Sequence, residues 1–183
     1  MKVRKTGFTI TEVLVAMVII VLVASLLYPV FLKLRSRSLE LVCISNLRQI
    51  HGAAMLYRAD YGGDGVYGTP EEMGLPYWMD QLEEAGYLPR NSGVFKCTAP
   101  ASALEPSYPA VYMGFWLTPG WREYCLAYRE NSILLADVNH NSPTNPLRSP
   151  YVVHHCVALY LSGQIRILHK TGRPMELTWW NEP

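Results

Sequence analysis

The sequence predicts an α+β fold: a long N-terminal helix, membrane-spanning in its first half, packed in its second half on a small antiparallel sheet. Three observations predict it. Val13 to Leu32 is apolar except for Ser25, Tyr28 and Pro29. Beyond that run, Leu39, Cys43, Leu47, Ile50, Ala54 and Tyr57 recur at steps of four and three, which is one apolar stripe of an amphipathic helix. The strand signals come late, between Glu123 and Leu168. A long helix followed by a run of strands is the α+β order.

Each element has its local reason. From Phe8 to Leu32 a helix covers about 37 Å at 1.5 Å per residue, more than the ~30 Å hydrocarbon core of a bilayer. That run is too long for the apolar region of an ordinary secretory signal. Arg35-Ser-Arg-Ser38 holds no proline or glycine, so the helix continues through it to about Arg58, with Glu40, Ser45, Arg48 and Gln49 on its polar side. Asp60-Tyr-Gly-Gly-Asp-Gly65 ends it with turn residues. Tyr77 to Tyr87 is expected to form a short helix with Trp78, Leu82 and Ala85 on one face and Pro89 beyond its end. Asn91 to Gly120, rich in Pro, Gly, Ser and Tyr, is expected to be a long packed loop. Strands are expected at Glu123–Tyr128, Ile133–Val138, Tyr151–Leu161 and Gln164–Leu168, with Ser162-Gly163 as a two-residue hairpin turn. The tail from Thr171, with Trp179-Trp180, is expected to be irregular.

The chain has 183 residues, enough for one domain and an anchor, and a formal net charge of +1. So small a charge gives no field that would favour nucleic acid, and no nucleic-acid partner is expected. Its cations gather at both ends of the apolar run, as Lys2, Arg4 and Lys5 before it and Lys33, Arg35 and Arg37 after it. Positive residues ahead of the span place residues 1–7 on the cytoplasmic side and the remainder outside.

The order of basic head, Gly7, Phe8, Glu12 and apolar run resembles the prepilin leader shared by type IV pilins and type II secretion pseudopilins. The resemblance implies that a prepilin peptidase cuts between Gly7 and Phe8 and methylates the new Phe8 amine. It also implies that Glu12 serves assembly and that Pro29 is a helix-bending proline. Residues 1–7 are then a leader peptide, 8–32 a membrane and filament-core helix, and 33–183 an exported head. Within the head, 33–58 continues the helix, 59–120 holds a short helix and loops, 121–170 the sheet and 171–183 a tail. The implied partners are the peptidase, other pilin or pseudopilin subunits, an inner-membrane assembly platform and the lipid bilayer. The implied location is the inner membrane, crossed once, and then a cell-envelope filament of a secretion pseudopilus or type IV pilus. The expected role is assembly rather than catalysis; an anchored exported enzyme or binding domain is the rival reading. Cys43-Ile-Ser-Asn-Leu-Arg-Gln49 and Phe95-Lys-Cys97 are similar to a pilin-like subgroup with Cys-x-Ser-Asn-Leu-(Arg/Lys)-Gln in its first helix. Where that subgroup has Asp-Gly nine residues after a histidine, this chain has Ser162-Gly163 at a shorter distance from His154.

Four cysteines, Cys43, Cys97, Cys125 and Cys156, are an even number that permits disulfides in an oxidising compartment. Four allow three pairings, and their spacing chooses none; they serve equally as small buried apolar residues. His154, His155 and Cys156, with His140 and Asp137 upstream, would set His154 and Cys156 on one face of a strand and His155 on the other, which argues against a Cys–His enzyme. A metal role for His140, His154 and His155 is a weaker alternative, and Asp137-x-Asn139-x-Asn141 supplies the candidate ligands for a calcium ion, although the Gly and Glu that an EF-hand loop demands are missing. Asp60 and Asp64 form a weaker acidic pair, and the alternative for both clusters is turn chemistry. No phosphate loop, paired carboxylates in a plausible cleft, or nucleophile elbow appears.

Overall fold

The computed structural model describes residues 9–63, 65–97, 113–115, 118–140 and 150–181. By contacts the chain divides into two compact units, Met1–Ser38 and Leu39–Pro183. Helix α1, Ile10–Asp60, belongs to both and runs unbroken through Pro29. In the first unit its large apolar side chains are exposed on every side, from Val13 at 43% to Ile10 at 81%. It is the single described helix long and apolar enough to cross a membrane, with a mean hydropathy of 2.8 over its most apolar window.

In the second unit α1 buries one stripe, Cys43, Leu47, Ile50, Ala53, Ala54 and Arg58, the period expected of an amphipathic helix. Its C-terminus is capped by the two glycines after Tyr61. Gly62 sits in the left-handed region at φ 76°, its N–H donates to Ala59 O, and Gly63 N–H donates to Arg58 O at 2.9 Å. That is a Schellman cap. The buried Arg58 guanidinium closes the turn by donating to Gly63 O at 2.8 Å and Val66 O at 2.6 Å.

The sheet is antiparallel in the order β1 (Met113–Gly114), β2 (Ile133–Asp137), β3 (His154–Tyr160), β4 (Ile165–Lys170). The short β1 makes this in substance a three-stranded sheet with an edge contact, and the α+β expectation holds. Strands β2 and β3 are inner strands, so residues 133–136 and 156–160 are buried on both faces and read as continuous apolar runs, with the buried Asp137 closing the first. A register shift between Ile133 and Leu135 marks a bulge against β3.

Several expectations are corrected. Residues 123–128 are not a strand: Trp121–Tyr128 is helix α3, which follows Gly120 at φ 84° and buries Trp121, Tyr124 and Cys125. Those positions are i, i+3 and i+4, a helical period that outweighs the strand preference of Tyr and Cys. The expected helix at Tyr77–Tyr87 shrinks to one turn, α2 (Gln81–Glu84). Gly86 turns left-handed at φ 85°, and of the expected face only Leu82 is buried. Strand β3 starts at His154, three residues later than expected, because the chain from Pro150 to Val153 turns outward and leaves Tyr151 90% exposed. The β3–β4 hairpin has a three-residue loop, Leu161 to Gly163: Gly163 N–H donates to Tyr160 O at 2.8 Å, and Tyr160 N–H to Gln164 O at 2.9 Å. Gly163, at φ 81°, takes the left-handed place that such loops require.

The tail is irregular except for one 3-10 turn, Leu177–Trp180. Both tryptophans there are core. Trp180 donates to Pro174 O at 3.0 Å, Trp179 to Thr171 O at 2.8 Å, and Trp180 meets Phe115 edge to face at 5.3 Å. Trp121 is also buried and Trp78 is exposed; Trp116 lies outside the described residues.

Candidate functional site

Two places carry the residues singled out above. The first is the start of α1. Gly7 and Phe8 lie outside the described residues. Thr9 N–H and Thr9 Oγ1 donate to Glu12 Oε2 at 2.8 and 2.7 Å, and Glu12 N–H approaches Thr9 Oγ1 at 3.3 Å. This is a capping box, threonine at the cap and glutamate three residues on. The Glu12 carboxylate takes up the Thr9 N–H and hydroxyl, and Thr9 Oγ1 in turn faces the Glu12 N–H, so two donors that the first turn leaves without a helical partner are met. The signature Thr9-x-x-Glu12 stands in the sequence directly ahead of the apolar run. Pro29, further along, removes one backbone donor; Ser25 Oγ donates to Leu22 O at 2.7 Å in the preceding turn.

The second place lies within the second unit and joins residues far apart in sequence. Cys43 comes from the buried stripe of α1 and Cys97 from the loop after Phe95. Asp137 ends β2, and His140 follows it by one turn. Cys43 Sγ and Cys97 Sγ are 3.1 Å apart, Cys97 Sγ is 3.4 Å from His140 Nε2, and His140 Nε2 is 3.1 Å from Asp137 Oδ2. All four ligand atoms lie within 4.8 Å of one another. The S–S separation exceeds the ~2.05 Å of a disulfide bond. Asp137 is fully buried, and its Oδ2 has no contact that meets hydrogen-bond geometry. Its other oxygen, Oδ1, accepts from both Asn139 N–H and Asn139 Nδ2, each at 3.0 Å.

The charges respond to this packing. Burial pushes the Asp137 carboxyl up, but His140 and the Asn139 N–H beside it hold it below its usual range. Burial pulls His140 down, yet the Asp137 carboxylate and Cys43 more than offset this and push it up to about 10. Next to this group, His155 Nε2 lies 2.9 Å from Glu40 Oε2, one helical turn before Cys43, and His155 Nδ1 meets His169 Nε2 on β4. Burial lowers the pKa of His155.

The candidate calcium ligands are therefore divided. Asp137 and Asn139 sit side by side with Asn139 bonded back to Asp137 Oδ1, the turn chemistry of the alternative reading, while Asn141 lies outside the described residues. Asp60 accepts from Tyr87 Oη at 2.5 Å, and Asp64 is outside the described residues. His154 and Cys156 are both buried, as residues two apart on a strand should be, and His155 faces Glu40. Cys125, also buried, donates to Met73 Sδ at 3.4 Å in the core and stands apart from the Cys43–Cys97 group.

Residues 2–28 match the family model of the prokaryotic N-terminal methylation motif. The match takes in Gly7, Phe8, Glu12 and the first part of the apolar helix, and is consistent with a type IV prepilin-like leader. Neither a curated protein nor a solved structure matches the chain. The leader motif implies processing by a peptidase and assembly with other pilin subunits. Together with the apolar first part of α1 it supports a membrane-anchored, envelope-associated, pilin-like protein.

Proposed function

We propose that the chain is a prepilin-type subunit, cut between Gly7 and Phe8, methylated on Phe8, and assembled through α1 into a type II secretion pseudopilus or a type IV pilus-like filament. The observation that carries this reading is one helix with two surfaces. Where the leader motif matches, α1 is apolar all round; from Cys43 onward it is apolar on one stripe and packs its own head. A helix that is apolar all round needs lipid or other helices as its solvent. Before assembly that solvent is the inner membrane, crossed once with the head outside. After assembly it is the α1 segments of neighbouring subunits. The role is structural, not catalytic.

In this reading Glu12 has a second task. The capping box occupies Oε2, which leaves Oε1 to meet the Phe8 amine of a neighbour. A carboxylate among apolar helices is costly unless paired, so the pair sets the axial register of each incoming subunit. Mass spectrometry of the mature N-terminus tests the first step: a chain that begins at a methylated Phe8 is expected, and one that still begins at Met1 overturns the reading. Glu12→Val is expected to leave cleavage intact and to abolish entry into filaments; filaments of normal yield would remove the pairing role.

A further inference from the structure

The buried group of Cys43, Cys97, Asp137 and His140 is unexplained by filament assembly. Four side chains rich in lone pairs converge from a helix, a loop and the end of a strand; Asp137 and His140 are one turn apart, but Cys43 and Cys97 reach them from 40 or more residues away. From this convergence we infer that the head holds a structural zinc ion, bound by Cys43 Sγ, Cys97 Sγ, His140 Nε2 and Asp137 Oδ2.

Geometry carries the inference first. Zinc bonds of about 2.3 Å to sulfur and about 2.0–2.2 Å to nitrogen or oxygen make a tetrahedron with edges of roughly 3.3–3.8 Å. Three of the six edges are 3.1 Å for Cys43–Cys97, 3.4 Å for Cys97–His140 and 3.1 Å for His140–Asp137, and the other three are at most 4.8 Å. Side-chain movements of up to about an ångström would seat the ion. Donor chemistry comes second. Two thiols with one imidazole and one carboxylate suit zinc, whereas calcium takes oxygen ligands alone. Four protein ligands leave no open position, the mark of a structural rather than a catalytic site. The surroundings come third. Asn139 holds Asp137 Oδ1 with two donors and leaves Oδ2 turned toward the centre. Such an outer partner orients a ligating carboxylate. The His140 side chain is 9% exposed and that of Asp137 0%, so the ion would enter from the histidine side.

On binding, zinc replaces the two thiol protons and any proton on His140, all released to solvent, and no electrons are transferred. Two thiolates and a carboxylate against the dication leave one negative charge. The ion would tie α1 to the Cys97 loop and to the end of β2.

The test uses the full chain purified under reducing conditions in detergent, loaded with zinc alone, separated from unbound metal and assayed for metal content and thiols. One zinc per chain is expected, and cobalt in its place should give a thiolate-to-cobalt charge-transfer band. Cys43→Ser and His140→Ala are expected to lower retained zinc at least tenfold, while Cys125→Ser keeps it. Asn139→Ala, which leaves all four ligands in place, should weaken zinc affinity about 10- to 100-fold. Because the ligand variants also disturb the core, tryptophan fluorescence of each is compared with that of the parent, and Asn139→Ala carries the test if the others unfold. The inference is overturned by a reduced, folded chain that takes up no zinc. It is equally overturned by zinc retention indifferent to Cys97→Ser and His140→Ala, or by a native chain whose Cys43 and Cys97 are joined in a disulfide and hold no metal.

Discussion

Gly163 offers a sharp test of how the final hairpin meets α1. Its φ of 81° is one that L side chains rarely adopt, and a Cβ built there would stand 2.7 Å from His51 Cε1. Ordinary contact begins near 3.4 Å, so in Gly163→Ala the imidazole must retreat by about 0.7 Å. That ring is also bonded, through Nε2, to Leu161 O at 3.0 Å in the same loop. The left-handed alanine costs roughly 1–2 kcal/mol, and loss of the His51 hydrogen bond adds about 0.5–1.5 kcal/mol. The total is about 1.5–3.5 kcal/mol, enough to lower a urea midpoint by about 1 M at an m-value near 2 kcal/mol/M. Urea unfolding of the full chain in detergent, followed by the fluorescence of the buried tryptophans, measures it. The same change in a His51→Ala background should keep only the backbone part, roughly 1–2 kcal/mol. A Gly163→Ala chain within about 0.5 kcal/mol of the parent would refute the reasoning. So would a cost that is unchanged when His51 is absent.

Other outcomes follow from single contacts. Tyr124 Oη accepts from the buried Ile133 N–H at 3.1 Å, so Tyr124→Phe leaves that donor unpaired and should cost about 1–3 kcal/mol in the same urea assay. Trp180→Ala removes a side chain 2% exposed, its bond to Pro174 O and its contact with Phe115. A loss of about 3–5 kcal/mol is expected, read as a collapse of the thermal transition. The hydrogen bond to Asp60 pushes the Tyr87 pKa up to about 12. The fold therefore keeps a proton that the unfolded chain releases near pH 10, and the advantage of the parent over Tyr87→Phe is whole below about pH 10 and fades as pH rises toward 12. Paired urea midpoints across that range check it.

Where periodicity was long, sequence and structure agree. The stripe from Leu39 to Tyr57 gave α1 its buried face, and the two glycines after Tyr61 gave it its end. The final hairpin was legible in the apolar strands and in Gly163, though its loop is one residue longer than a two-residue turn. Helix α3 was misjudged because Tyr124, Cys125 and Tyr128 favour strands, while the deciding period, Trp121 to Tyr124 and Cys125, is only one turn long. The Cys43–Cys97–Asp137–His140 group was hidden for a different reason. Asp137 and His140 stand one turn apart, but Cys43 and Cys97 reach them only through the docking of α1 and the Cys97 loop beside the end of β2, and no local spacing announces a contact made over such a length of chain. The Asp137-x-Asn139 pair was noticed, but as two ligands of one calcium ion rather than as a carboxylate and the residue that orients it.

Up to Leu32 the apolar side chains of α1 point to every side. A helix without a preferred side gains nothing by turning to present one, so its rotation about its own axis is nearly free. In the proposed membrane span its depth would be set instead by the Thr9–Glu12 polar collar at one end and the Lys33, Arg35 and Arg37 cations at the other. Such a span would fix how deep the chain sits and leave its azimuth to contacts made elsewhere.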